Sequence, residues 1–372
     1  MKRILQSWVE RFIFVIIMWL LSRLVIVVAM EVMAPSLPSS PAEYNYNPPP
    51  LGFIPGFIAK PGWELFTHWD GAYYRQITTV GYDYANDGKE HSIAFFPLFP
   101  LIARGLMTLG LPFDVAGTLV NNFAFLGALL LLYLWAEERY DVSVARWSTA
   151  VLAWCPFSLF GTVAYTEGLF LLLTTAALRA FGNRQHVWAA IWSAMATATR
   201  PTGIALVPTF LFVAWRERRP TVAYAAGFAT AGGLILFSLY CAIRFGDPLA
   251  FVHAQKGWQH LSWWELFASV LKFNRDSLNK IVILFSSIYL LWHLRAKLPP
   301  VAVAFGVFTI ALILYSGALT SLSRYIFGTV SVSLALGILL ASHRRWGYLL
   351  LGLFAVYLEK YAIRFAWWVW LQ

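Results

Sequence analysis

The chain has 372 residues, of which 59% are hydrophobic and only 12% charged. A soluble domain carries about 25% charged residues, so this chain lacks the polar groups to coat a globule of its size. That excludes a soluble enzyme, a disordered protein and a disulfide scaffold. Net charge is +10, from 28 Lys and Arg against 18 Asp and Glu. The basic residues fall mostly in short loops between apolar runs, which reads as membrane topology rather than nucleic-acid binding. Cys155 and Cys241 both lie in apolar segments and suggest neither a disulfide framework nor a metal site. Many of the 18 Trp flank apolar runs, as interfacial belts do.

The first apolar run covers about residues 12–33, after Lys2, Arg3 and Arg11. Its length, its interruption by Arg23 and the lack of a small-residue cleavage site before Pro35 predict a retained membrane helix, not a signal peptide. The basic residues before it place the N-terminus in the cytoplasm. Residues 34–92 form the longest polar stretch, rich in Pro, Tyr, Asn and Gly, and read as a first external loop. Later apolar runs fall near 93–111, 115–135, 147–163, 168–182, 187–199, 202–214, 221–243, 281–296, 299–320, 325–341 and 346–358. A full span needs about 20 residues, and several of these runs are shorter.

Two stretches decide the topology. The run 93–111 contains Pro97, Pro100 and Arg104 and is expected to be interfacial or re-entrant. The stretch 187–214 is expected to break at Arg200-Pro201, because Pro disfavours helix at the residue before it. With both choices, Arg139, Arg146 and Arg184 join Arg216, Arg218, Arg219, Arg295, Lys297, Arg344 and Arg345 on the cytoplasmic side. The chain is then an all-α polytopic membrane protein, one domain over 1–372, with about 11 transmembrane helices, a first external loop 34–92 and a second at 244–280. No fixed-period repeat stands out, and no Walker or GxGxxG signature is present.

The same layout puts the polar residues hardest to explain as structure on one external face. Asp70 stands in Thr67-His68-Trp69-Asp70-Gly71 and has two readings, a general base or a cap of a loop or helix start. Glu167, after Tyr165 and Thr166, opens an apolar run, where it either complements the helix dipole or acts in a site. Arg200 and Arg324 sit beside Pro201 and Tyr325, far from any charge run. Each either snorkels, pairs with an acid such as Glu167, or binds an anion, and a phosphate suits the guanidinium fork. Gly246-Asp247-Pro248 reads as a turn before a short helix carrying His253, Gln255 and Lys256, with His253 and Lys256 on one face; its bland alternative is an interfacial amphipathic helix. Asp83, Asp87 and Glu90 have the composition to bind a divalent cation, though nothing in the loop requires one.

Taken in order, these segments resemble the phosphatidylinositol-glycan class V family, the mannosyltransferases that add the second mannose of the GPI anchor, and their bacterial relatives. The resemblance rests on His68-Trp69-Asp70-Gly71 through Gly81-Tyr82, Ala94-Phe95-Phe96-Pro97, Tyr165-Thr166-Glu167 and Ala198-Thr199-Arg200. It continues in Gly246-Asp247-Pro248 with His253-Ala254-Gln255, and in Ser323-Arg324-Tyr325. No single motif is decisive; the ordered set is fairly specific. The resemblance implies a GT-C fold, a polyprenyl- or dolichyl-phosphate mannose donor and a site on the non-cytoplasmic side, where Asp70 matches the essential acid of the first external loop. It implies transfer of mannose or a related hexose, with inversion, to a lipid-linked or extracytoplasmic glycan. The chain is shorter than the eukaryotic enzymes, as a bacterial homologue in a plasma membrane would be, so the GPI acceptor does not carry over. Asp70 is then the base. Arg200, Arg324 or Lys256 stabilise the leaving phosphate, and His68, Trp69, Glu167, His253, Gln255 and Tyr325 contact substrate or tune Asp70. No metal or other cofactor is required. The alternatives are a polytopic lipid or glycan transporter or flippase, and a non-catalytic subunit of a glycosyltransferase complex.

Overall fold

The computed structural model describes residues 2–37, 59–258 and 261–371, with side chains in the first helix from Val9 onward. Positions 38–58 of the first loop and 259–260 of the second lie outside the described residues. Among the described residues the chain is helical, without strands. Helix α1 (Lys2–Val28) passes through a π-turn into α2 (Ala34–Ser36). The first loop then holds a 3₁₀ turn at Trp63–Thr67 and α3 (Asp70–Thr79), and α4 (Leu98–Met107) follows it. The bundle continues with α5 (Phe113–Arg139), α6 (Val142–Trp154), α7 (Glu167–Gly182), α8 (His186–Thr197), α9 (Leu206–Arg216), α10 (Thr221–Ala229) and α11 (Gly232–Phe245). The second loop carries α12 (Ala250–Ala254) and α13 (Trp263–Leu271). Last come α14 (Arg275–His293), α15 (Pro300–Ser316), α16 (Leu322–Phe327), α17 (Val330–Ser342) and α18 (Arg344–Ala366).

Helix α5 packs along α6 and α7, α6 backs onto α17, and α7 runs beside α8. Phe125, Leu129, Leu132, Phe181 and Phe210 are fully buried in this core. Small residues let the backbones approach: Gly337 of α17 lies directly on Ser148 of α6, with no room for a Cβ. The Arg23 that interrupts the first apolar run is buried. Its guanidinium donates to Ser158 O at 3.0 Å and Ser158 Oγ at 2.9 Å, and covers the Phe125 ring. It therefore satisfies backbone beyond the end of α6 instead of breaking the helix that carries it.

Three helical stretches are long and apolar enough to cross a bilayer among the described residues: Val9–Ser36, Phe113–Arg139 and Thr221–Phe245. Leu319–Phe327 with Val330–Ser342, bent by 56°, makes a fourth if taken as one span. Against the expected count of about eleven, the other apolar runs are divided into shorter helices. At 1.5 Å per residue, α7 is roughly 24 Å long and α8 roughly 18 Å, less than the ~30 Å of a hydrocarbon core. Helix α4 has ten residues, roughly 15 Å, too short to cross. The stretch 187–214 breaks where its proline requires: α8 ends at Thr197, Arg200 is extended (φ −151°, ψ 143°), and a 3₁₀ turn begins at Pro201. These interruptions converge. Leu98 N–H at the start of α4 donates to Ala198 O in the break, at 3.0 Å.

Candidate active site

Asp70 is the first residue of α3, yet its side chain caps nothing. Its carboxylate reaches away from its own helix and accepts from Arg324 Nη1 at 3.0 Å, while its N–H donates to the Tyr165 hydroxyl at 3.2 Å. Between the two sequence readings of Asp70, the geometry therefore disfavours the cap. Trp69, just before it, has φ 55° and ψ −120°, a costly conformation for a non-glycine residue that persists only where surrounding contacts enforce it. Those contacts come from the far end of the chain. The Trp69 ring meets Trp370 edge-on at 5.0 Å, and the His68 ring stacks on Trp368 at 3.9 Å. His68 Nδ1 also bonds Phe365 O at 3.0 Å. Burial pushes the His68 imidazole down to about 4, against the opposing effect of that hydrogen bond, so it is neutral at pH 7.

Glu167 begins α7 and is buried, as are Arg200 and Arg324. Its Oε1 lies 2.5 Å from Arg200 Nη1 and 3.3 Å from Arg324 Nε. Asp70 and Glu167 thus balance Arg200 and Arg324 in one four-charge cluster. The Tyr325 ring lies beneath both guanidiniums, at 5.1 Å from Arg200 and 5.6 Å from Arg324. The N-terminus of α7 is fixed by Asn121 of α5. Asn121 Oδ1 accepts from Gly168 N–H at 2.7 Å, and Nδ2 donates to Phe160 O and Val163 O. A Cβ on Gly168 would collide with Asn121, so only glycine permits this approach.

A cavity of about 160 Å³ opens on the cluster, with room for about five waters. Asp70, Arg200, Arg324 and Tyr325 line it with Tyr74, Phe95, Thr166, Gln255, Trp258 and Trp370. Glu167 Oε2 and the wall residue Thr202, through Oγ1, are buried without a hydrogen-bond partner among the described residues. Such groups in a native protein call for a ligand or water. Beside the cavity, beyond Pro97-Leu98 and Ala198, runs an apolar groove of about 470 Å³ lined by Ile77, Tyr82, Leu101, Leu236 and Tyr240, with Arg104 also in its wall.

The second loop lies over the first. Gly246 ends α11 with φ 73°, and the Asp247 carboxylate accepts from Leu249 N–H, from Tyr84 OH at 2.5 Å and from His253 Nδ1 at 2.7 Å. Gly257 rests on the Lys89–Glu90 backbone, where a Cβ would clash. This brings Gln255 and Trp258 to the cavity. Lys256 is exposed, and neither it nor His253 is a wall residue. His68 and Trp69 are likewise absent from the wall, because their rings are engaged by the Trp368–Trp370 segment. Asp83 and Asp87 bond the two ring nitrogens of His91, each at 2.8 Å, and Glu90 accepts from Tyr73 at 2.5 Å. Both His91 nitrogens are thereby used, and no group of three His, Cys, Asp or Glu side chains is placed to hold a metal ion among the described residues.

Asn121, Tyr74, Trp368 and Trp370 have no role among the sequence candidates. Asn121-Asn122 inside an apolar run was a usable signal, since polar residues there need partners. The tryptophans carried none, because in a chain with 18 of them a Trp near an apolar end is ordinary.

A family model described as Mannosyltransferase (PIG-V) matches residues 9–219, more than half of the chain. GPI alpha-1,6-mannosyltransferase 2 of Homo sapiens is 28% identical over 186 residues, covering 46% of this chain and 36% of that protein. GPI mannosyltransferase 2 of Cryptococcus neoformans is 28% identical over 200 residues, 50% of this chain and 42% of its own length. The chain therefore spans less than half the length of these relatives. ArnT from Cupriavidus metallidurans, solved bound to undecaprenyl phosphate, superposes with a TM-score of 0.56 at 16% identity, over 93% of this chain and 63% of ArnT. The apo oligosaccharyltransferase of Archaeoglobus fulgidus gives 0.50 at 13% identity, over 96% of this chain and 56% of its own. These likenesses show a fold similar to that of GT-C membrane glycosyltransferases, and the long apolar helices, with the family match, mark an integral membrane protein. The sequence match goes further: the chain belongs to the PIG-V mannosyltransferase family.

Proposed function

We propose that this protein is an inverting membrane mannosyltransferase that moves mannose, or a related hexose, from a polyprenyl-phosphate sugar to a lipid-linked or extracytoplasmic glycan. The observation that carries the reading is the Asp70 carboxylate, held at the cavity by Arg324 within a balanced cluster instead of capping its helix. Asp70 accepts the proton of an acceptor hydroxyl as that oxygen attacks the anomeric carbon. The bond to the lipid phosphate breaks on the opposite face, and Arg200 and Arg324 stabilise the departing phosphate in a poorly hydrated site. A guanidinium has five N–H donors, so both arginines keep donors to spare beyond their contacts to Glu167 and Asp70. The neighbouring apolar groove suits the lipid chain, and the undecaprenyl phosphate of ArnT supports a lipid-phosphate donor.

In this reading about eleven helical passages cross the membrane and the cavity faces the non-cytoplasmic side of a bacterial plasma membrane. The support is the clustering of Arg139, Arg184 and Arg219 at the opposite end of the bundle. A transporter would place its polar residues near the bilayer midplane with access from both sides, whereas here they sit at helix breaks at one end. The test supplies radiolabelled polyprenyl-phosphate mannose to membranes holding wild type or Asp70→Asn. Label should move to an acceptor with wild type alone. Transfer by a folded Asp70→Asn protein at near wild-type rate would refute Asp70 as the base.

A further inference from the structure

At the other end of the bundle, the ends of α5, α7 and α9 and the start of α15 surround a second cavity, of about 350 Å³. Trp135 and Pro299-Pro300 form part of its wall, and its charged lining is Arg139, Arg184 and Arg219 with Glu138 and Glu217. Both acids are already engaged. Glu138 is paired with Arg179, and Glu217 accepts from Arg219 Nε at 2.9 Å. Arg219 also caps the carbonyl end of α7 through Phe181 O. Arg139 and Arg184 have no carboxylate partner among the described residues. Arg184 stands at φ 59°, in the left-handed region that a glycine would occupy without strain. Topology accounts for arginines at this end. It does not account for two of them facing one cavity whose acids are spent, nor for an arginine in a glycine-favouring turn. The first N–H groups of α15, at Val301, add positive partial charge to the same wall.

We propose that this cavity binds a phosphate group, held by the guanidinium forks of Arg139 and Arg184. The chemistry is the same for an anionic phospholipid headgroup entering from the bilayer and for soluble phosphate. It is independent of the transferase reading, since none of its residues lines the candidate active site. The test is thermal unfolding of the full-length protein in detergent, titrated with inorganic phosphate, dihexanoyl-phosphatidylglycerol or dihexanoyl-phosphatidylcholine. Wild type should show a saturable rise in Tm, and Arg139→Gln with Arg184→Gln should weaken the apparent affinity at least tenfold. Arg324→Gln, which alters the other arginine site, should leave that affinity unchanged. Should the Gln pair fail to fold, Arg139→Lys with Arg184→Lys keeps the charge and loses the fork, and should bind several-fold more weakly. A response to phosphate and phosphatidylglycerol alike assigns a soluble source; a response to phosphatidylglycerol alone assigns the lipid. No saturable rise in wild type with either anion, a rise undiminished in the paired variant, or one abolished by Arg324→Gln would overturn the proposal.

Discussion

Glu167→Gln tests the charge cluster most directly. The substitution keeps the shape and removes one of two negative charges from a site where the side chains of Glu167, Arg200 and Arg324 are only 7%, 11% and 8% exposed. Orphaning one member of a buried ion pair costs about 3–5 kcal/mol. Arg324 keeps Asp70 at 3.0 Å, so the loss falls mainly on Arg200, left with the ring faces of Tyr325 and Phe170. We expect the lower end, about 3 kcal/mol. Arg200→Gln in the same background removes the orphaned charge, so the double variant should be more stable than the two single losses summed, by about 2 kcal/mol of coupling. The assay is reversible unfolding in mixed micelles across the four members of the cycle. Losses that simply add, with coupling below about 0.5 kcal/mol, would show that Glu167 and Arg200 do not hold one another and that the cluster is not the unit described.

Trp368→Ala removes the ring stacked on His68 and should release the strained turn that presents Asp70. Turnover is expected to fall on the order of 10²-fold, as for a small misplacement of a reacting group, with donor affinity little changed and Trp368→Phe largely restored; an equal fall in donor affinity would contradict a positioning role. Two histidines should give opposite pH responses. His68, held down near 4 mainly by burial, contributes fully above its usual 6.5 and loses that contribution as pH falls toward 4, so the hydrogen-exchange protection factors around Trp69, corrected for the intrinsic rate, should fall on acidification. His91 is raised by its hydrogen bond to Asp83, with burial opposing and Asp87 assisting. Asp83 is lowered because hydrogen bonds from Ser92 and His91 outweigh its burial, and Asp87 is lowered chiefly by His91. The His91 contribution is present below 6.5 and lost as pH rises through its raised value; that of the two acids is present above 3.8 and lost below. Protection of residues 80–92 should therefore peak between about pH 4 and 6.5, and a profile unchanged in His91→Gln would refute the clamp. Single cysteines replacing Tyr140 and Asn183 should react only with reagent supplied from the cytoplasmic side; labelling from outside would reverse the proposed topology.

How far the sequence reached depended on the kind of constraint. Composition alone required a membrane, because 12% charged residues cannot solvate such a chain. Pro201 determined the break in 187–214, because a ring clash acts on the neighbouring residue wherever the chain folds. Asp70, Glu167, Arg200 and Arg324 were identifiable as candidates because charge beside apolar runs is costly and needs a partner. Which partner each would take was beyond the sequence. Arg324 and Asp70 lie 254 residues apart, and their contact depends on how α3, α7 and α16 pack. Spacing grouped His253 with Lys256 on one face, but the fold gave His253 to Asp247 and left Lys256 exposed. His68, two residues before the acid, is held by Phe365 and Trp368 from the end of the chain. Local rules act through bonds and near neighbours and are readable in one dimension. The pairing of buried charges and the support of a strained turn are long-range contacts, decided only when tertiary packing removes the water that would otherwise have satisfied them.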